Sequence, residues 1–261
     1  MKKITASIIG AVLLFCIGSA GAQIKWQEEK SEHFIIYYKS APADFVENVE
    51  QMAEQYYHEI SDNLGITRYQ NWTYDKRARI YIYDDQDDYV NSAQQARWSH
   101  GAASAKTREI RTFPSAHGFF DSVLPHELGH IIFREFVGFN INLPLWLDEG
   151  VAMYQEKAKR WGANKSVQEA IKKKTFIPLE ELTYMSLTQN TPQDMVELFY
   201  AESASIVYFM ISEMGDNSFA RFCKKLQQES TFDNALSASY MRIHTLVELN
   251  KAWMNYLKEE K

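Results

Sequence analysis

His126-Glu127-Leu128-Gly129-His130, with Trp146-Leu147-Asp148-Glu149-Gly150 downstream, is the stretch that decides how this chain reads. On a helix, residues i and i+4 share a face, so both imidazoles can reach one metal ion while Glu127 stands beside them. Each residue type has its own part. Neutral imidazole nitrogen is a good zinc ligand, a carboxylate adds a third bond and neutralises charge, and a second carboxylate must stay off the metal to take a proton. Eighteen residues separate His130 from Glu149, room for a turn and a returning helix. Three protein ligands, His126, His130 and Glu149, with one position left open, describe a catalytic Zn2+ site rather than a structural one. Glu127 is then the general base for a zinc-activated water that hydrolyses a peptide bond.

The flanks agree. Val123, Leu124, Leu128, Ile131, Ile132, Phe133 and Phe136 would bury the helix. Ser122 fits its N-cap, and Pro125 falls in the first turn, where a missing N–H costs little.

Together with this helix, residues 143–152 (Leu-Pro-Leu-Trp-Leu-Asp-Glu-Gly-Val-Ala) resemble the gluzincin metallopeptidases, specifically the small peptidase MA-like domain proteins. The similarity continues through residues 200–205 and 208–215 and ends near Trp253. It implies a zincin-like α+β fold: a small mixed-sheet N-terminal lobe over residues 23–118, a mainly helical lobe over 119–261, and the active-site helix between them. It also implies Tyr200 as a hydrogen-bond donor to the oxyanion formed during hydrolysis, with Tyr208 next in line. In that family the strand before the metal helix lines the cleft and pairs with extended substrate. Glu109-Ile110-Arg111-Thr112 is the candidate edge strand here, an ordinary interior strand being the alternative. Two departures stand out. Thermolysin-like enzymes place an aspartate four residues after the glutamate ligand to orient a histidine, and this chain has Met153 there. The Gly-Ala-Met-Glu-Asn motif of the large aminopeptidases is replaced by Gly101-Ala102-Ala103-Ser104.

The N-terminus reads as an export signal over residues 1–22. Met1-Lys2-Lys3 is a basic start, residues 8–18 are an apolar core, and Ala20-Gly21-Ala22 is a cleavage site. The product would be periplasmic or secreted. Cys16 raises a lipoprotein alternative, against which Phe15 is bulky where that signal wants a small residue. No later segment reads as long and apolar enough to span a bilayer. Removing residues 1–22 takes two lysines and no acids, so the formal charge moves from −6 to −8. That balance disfavours nucleic acid and anionic membrane as partners and does not identify a substrate; a protein or peptide substrate is what the resemblance implies. Cys223 would be the single remaining cysteine, unable to form an intramolecular disulfide, and its apolar neighbours mark it as a buried structural thiol.

Residues 33–38 and 78–83 read as strands and residues 43–64 as an amphipathic helix. Residues 106–113 read as a further extended segment, and residues 198–214 as an apolar helix packed against the metal helix. Residues 84–88, Asp-Asp-Gln-Asp-Asp, lack the glycine and distal glutamate of a calcium loop and read as a capping turn. Asp148 reads as an exposed acid in a first helical turn, the alternative being a group that steadies a ligand or the helix N-terminus, and Trp146 and Leu147 read as packing. His100 and His117 read as polar surface. Two other functions remain open: a zinc- or peptide-binding module without turnover, and a hydrolase of a non-protein amide.

Overall fold

The computed structural model describes residues 25–66, 72–94, 97, 99–114, 118–157, 162–228 and 231–259. The export signal, with Cys16, and His117 lie outside them.

The N-terminal part is a five-stranded sheet in the order β1-β2-β3-β5-β4: β1 Gln27–Lys30, β2 Phe34–Tyr38, β3 Ala78–Ile82, β4 Gly101–Ser104 and β5 Glu109–Thr112. The inner strands β2, β3 and β5 run parallel, and β1 and β4 are antiparallel edges. Alternate residues Phe34, Ile36, Ala78, Ile80, Ile82 and Ile110 are fully buried, the period of two that a one-sided sheet requires. Helix α1 (Ala43–Asn63) crosses from β2 to β3 and buries Val46, Val49, Ala53, Tyr56, Tyr57 and Ile60. Helix α2 (Gln86–Ala93) follows β3, and its Asp85 cap accepts from the Asp88 N–H at 2.8 Å, so the acidic run is indeed a capping turn.

The expected edge strand is corrected here. Glu109–Thr112 is β5 and lies between β3 and β4, so its backbone is paired on both sides. The edge is β4. Gly-Ala-Ala-Ser carries neither β-branched nor aromatic residues, so β-propensity gives no sign of it.

The remainder is helical: α3 Leu124–Val137, α4 Leu145–Gln155, α5 Ala163–Lys173, α6 Leu179–Tyr184, α7 Gln193–Tyr208, α8 Asp216–Gln227, α9 Phe232–Ser239 and α10 Leu246–Glu259. The architecture is thus the α+β arrangement that the resemblance implies. One wide π-turn, Phe119–Val123, leads into α3, and another, Phe209–Glu213, prolongs α7. Ser122 is not the cap of α3, because the residue before the helix, Val123, is itself helical and no side chain caps that end. Pro125 does sit in the first turn.

Helix α7 packs chiefly on α4 and α5 rather than on α3. Its contact with α4 passes through Gly150, where a Cβ would stand 2.3 Å from the Ser203 carbonyl oxygen. By length and composition Gln193–Glu213 could cross a membrane, contrary to the sequence expectation. Its apolar residues instead serve the fold: Phe199, Ile206, Val207 and Met210 are buried among its neighbours. Cys223 is fully buried in the same core, as are Trp146, Leu147 and Trp253.

Glu202 is the acid that α7 carries into this core. It is fully buried, its Oε1 accepts the Ile177 N–H at 2.9 Å, and its Oε2 has no partner among the described residues. Burial pushes its carboxyl up to about 8, against the opposing pull of the Ile177 bond. The folded state therefore favours the protonated form, and stability present below the ordinary carboxyl range falls as pH rises towards 8. Glu202→Gln keeps the acceptor and removes the titration. It should unfold at a higher temperature than the parent at pH 8, by roughly 2 kcal/mol or more, with the gap closing near pH 4. Thermal melts at the two pH values check this, and equal gaps would contradict it.

Candidate metal centre

Helix α3 presents His126 and His130 one turn apart, with their Nε2 atoms 3.1 Å from each other. Helix α4 returns alongside and brings Glu149 Oε2 to 3.7 Å from Nε2 of His126 and 3.8 Å from Nε2 of His130. One donor atom from each of the three lies within 4.8 Å of the others. Their side chains remain 17–19% exposed, enough for a small molecule or a peptide group to reach them.

Such convergence needs the two helices close together. At Gly129 a Cβ would meet Ala152 Cα and Gln155 Cγ at 3.1 Å, so glycine is what allows α3 to lie on α4. Glu127 points elsewhere. Its Oε1 lies 3.4 Å from where a Cβ on Gly101 would be, so the carboxylate lies against β4 and beside the imidazoles.

Each imidazole is held from behind by a carboxylate. His126 Nδ1 meets Glu156 Oε1 at 2.8 Å, and the other oxygen of Glu156 accepts from the Ser122 hydroxyl. His130 Nδ1 faces Asp148 Oδ1 at 3.4 Å, while Asp148 Oδ2 takes two bonds from Arg134, at 2.9 and 3.1 Å. Asp148 is therefore not an exposed first-turn acid. At 3.4 Å the His130 contact is an ion-pair distance rather than a good hydrogen bond, and Oδ1 is otherwise buried without a partner. A small rotation of the ring would satisfy both groups. Outer carboxylates of this kind fix the tautomer and aim Nε2 at the metal.

Sequence reasoning missed Glu156, which is 1% exposed. The orienting acid was sought four residues after Glu149, where buried Met153 stands. Seven residues after Glu149, two turns on and on the same face, was the signal available.

The charge balance favours a cation. Glu127, Glu149, Glu156 and Asp148 surround two imidazoles, and Arg134 is bonded to Asp148 alone of the four. Burial raises the Glu127 carboxyl, as do Glu149 and Glu156, with the imidazoles opposing. Burial disfavours charge on His130 too, but Asp148, Glu149 and Glu127 overcome it and lift the ring to about 9. Asp148 is held low, against the cost of its burial, by His130 and Arg134. A divalent cation with two imidazoles and one carboxylate fits this donor set and its surplus of negative charge.

Tyr200, on α7, is half-buried and within electrostatic reach of the site. Burial first, then Glu149 and Glu127, push its phenol up to about 12, so it stays a hydrogen-bond donor. Tyr208 packs against Tyr154 instead. His100 stacks beside Phe113 and is not part of the donor triangle.

Residues 65–259 match the profile of the peptidase MA superfamily. The chain belongs to that superfamily. The match takes in every residue of the metal centre and leaves out β1, β2 and α1. It makes the chain peptidase-like, of a superfamily that is typically zinc-dependent. Among curated proteins none matches the chain.

Glu156→Gln preserves shape and the bond to Ser122 while removing the charge behind His126. Zinc affinity should fall by roughly 10- to 100-fold, read by competition with a chromophoric chelator. An unchanged affinity would show that Glu156 does not support the ligand.

Proposed function

We propose that the chain is an exported zinc-dependent peptidase that hydrolyses peptide bonds with Glu127 as general base. The observation that carries this reading is the triangle of His126, His130 and Glu149 donors, with Glu127 kept off it and facing the β4 edge. Zinc held by those three residues would supply a Lewis acid for the carbonyl and lower the pKa of water in the cleft towards about 7.

The rest is done by side chains. Glu127 takes a proton from the attacking water as the new C–O bond forms. It returns that proton to the amine nitrogen as the C–N bond breaks, so the carboxylate is regenerated. Its raised pKa makes the carboxylate a stronger base for the first half, and the departing amine, more basic still, takes the proton in the second. Tyr200 donates its phenolic hydrogen to the carbonyl oxygen as negative charge builds there. Asp148 and Glu156 keep both rings aimed through the cycle. The outer edge of β4 offers N–H and C=O groups to an extended substrate backbone, which selects unfolded or loop segments of a protein. The basic start, apolar core and Ala20-Gly21-Ala22 of the N-terminus support a site of action in the periplasm or outside the cell.

The test is cleavage of a diverse peptide library by the zinc-loaded chain, read by mass spectrometry, beside two variants. Glu127→Gln should bind zinc within a few-fold of the parent and lose cleavage by roughly 100- to 10,000-fold. Tyr200→Phe should lower kcat by about 10- to 100-fold with little change in KM. Cleavage that persists in Glu127→Gln would contradict the mechanism.

A further inference from the structure

A second group of metal-binding side chains stands in the sheet half of the molecule, before the region that matches the superfamily. Glu54 and His58 are four residues apart on α1 and so share one of its faces. His33 comes from the turn between β1 and β2. One donor atom from each lies within 4.8 Å of the others.

The His33 ring is 5% exposed and stacked on Tyr57, with centroids 3.8 Å apart. Its Nδ1 meets Glu54 Oε2 at 2.5 Å. The other oxygen of Glu54 accepts from the Ser31 hydroxyl at 2.5 Å and the His33 N–H at 2.8 Å. On the opposite side of the ring, Glu32 Oε1 stands 3.8 Å from Nε2. His58 is edge-on to both His33 and Tyr57, and its imidazole makes no hydrogen bond or ion pair among the described residues.

Ser31, His33 and Glu54 by themselves would make a clamp for the turn. Such a clamp has no use for His58, which adds a second imidazole beside the contact between Nδ1 and the carboxylate. Two imidazoles and a carboxylate are zinc's usual donors, and a further carboxylate on the far nitrogen of one ring is the usual outer partner. A metal entering between Nδ1 and Oε2 would replace the hydrogen bond they now make, the two groups parting to admit it.

We propose that His33, Glu54 and His58 form a second transition-metal site, of zinc type, that fastens the β1–β2 turn to α1. With three protein ligands its fourth position would be open to water beside exposed His58; the site is set apart from the cleft, yet it is joined to it by packing. Tyr57, against which His33 lies, packs edge-on to Trp72, whose indole N–H donates to Glu135 on α3 at 2.9 Å. A fastened turn thus braces the stack behind the helix that carries His126 and His130.

The test is metal stoichiometry. The chain is stripped with chelator, reloaded with zinc, dialysed and measured by mass spectrometry of the metal, beside His58→Ala, His130→Ala and the double variant. His58 is exposed, so its removal leaves the fold intact, which circular dichroism verifies. The parent should hold about two equivalents, each single variant about one, and the double variant none. In the His130→Ala background, zinc should raise the melting temperature, and adding His58→Ala should abolish the rise. A His58→Ala chain that holds as much zinc as its parent overturns the proposal, whatever His130→Ala does. Loss of an equivalent in His58→Ala but not in His130→Ala upholds it and overturns the reading of the cleft.

Discussion

Everything in the cleft depends on how closely α3, α4 and α7 approach one another. Gly129 lets α3 rest on Ala152, and Gly150 lets α4 rest on the Ser203 carbonyl. The two glycines act in series. Through the first, the helix bearing two imidazoles meets the helix bearing Glu149. Through the second, the Glu149 helix meets the helix bearing Tyr200. A methyl group at Gly150 would stand 2.3 Å from a carbonyl oxygen, a distance that only movement of backbone relieves. Two shifted helices would carry Glu149 and Tyr200 away from the imidazoles, so packing and chemistry are set by the same contact.

Close packing creates an electrostatic problem. Four carboxylates gather around two imidazoles, partly out of water, and like charges at such separations repel strongly in a low-dielectric setting. On one side Arg134 donates two short bonds to Asp148. On the other side Glu156 is bonded to His126 and Ser122. A divalent cation on the open faces of the rings would add positive charge there. Burial first, and the neighbouring carboxylates after it, raise the Glu127 carboxyl and the Tyr200 phenol, so the phenol keeps its proton to donate in a hydrogen bond.

Local periodicity made much of this legible in the sequence. The spacing of His126 and His130 sets them on one face, and the run of Val46, Val49, Ala53, Tyr56 and Ile60 places α1 to within a residue of its observed span. Strands β2 and β3 show themselves by their β-branched and aromatic residues. What escaped depends on contacts between segments distant in sequence. Polar β1 and small-residue β4 are strands because they pair, not because their residues favour it. Ser122 looks like a cap and is instead a partner for Glu156, thirty-four residues away. Asp148 looks like a surface acid until α3 is laid beside it with His130 and Arg134. Met153 occupies the expected place of an orienting carboxylate, and the role passes to Glu156 one turn further along the same face.

In the proposed centre, two imidazoles from α3 and one carboxylate from α4 meet on a single ion. Anomalous diffraction at the zinc absorption edge, from crystals of the zinc-loaded chain, tests it most directly. The account predicts a strong peak between Nε2 of His126, Nε2 of His130 and the Glu149 carboxylate, at about 2.0–2.2 Å from each, with Glu127 off the metal. Zinc crystals without a peak there, or with Glu127 in place of Glu149, would contradict it.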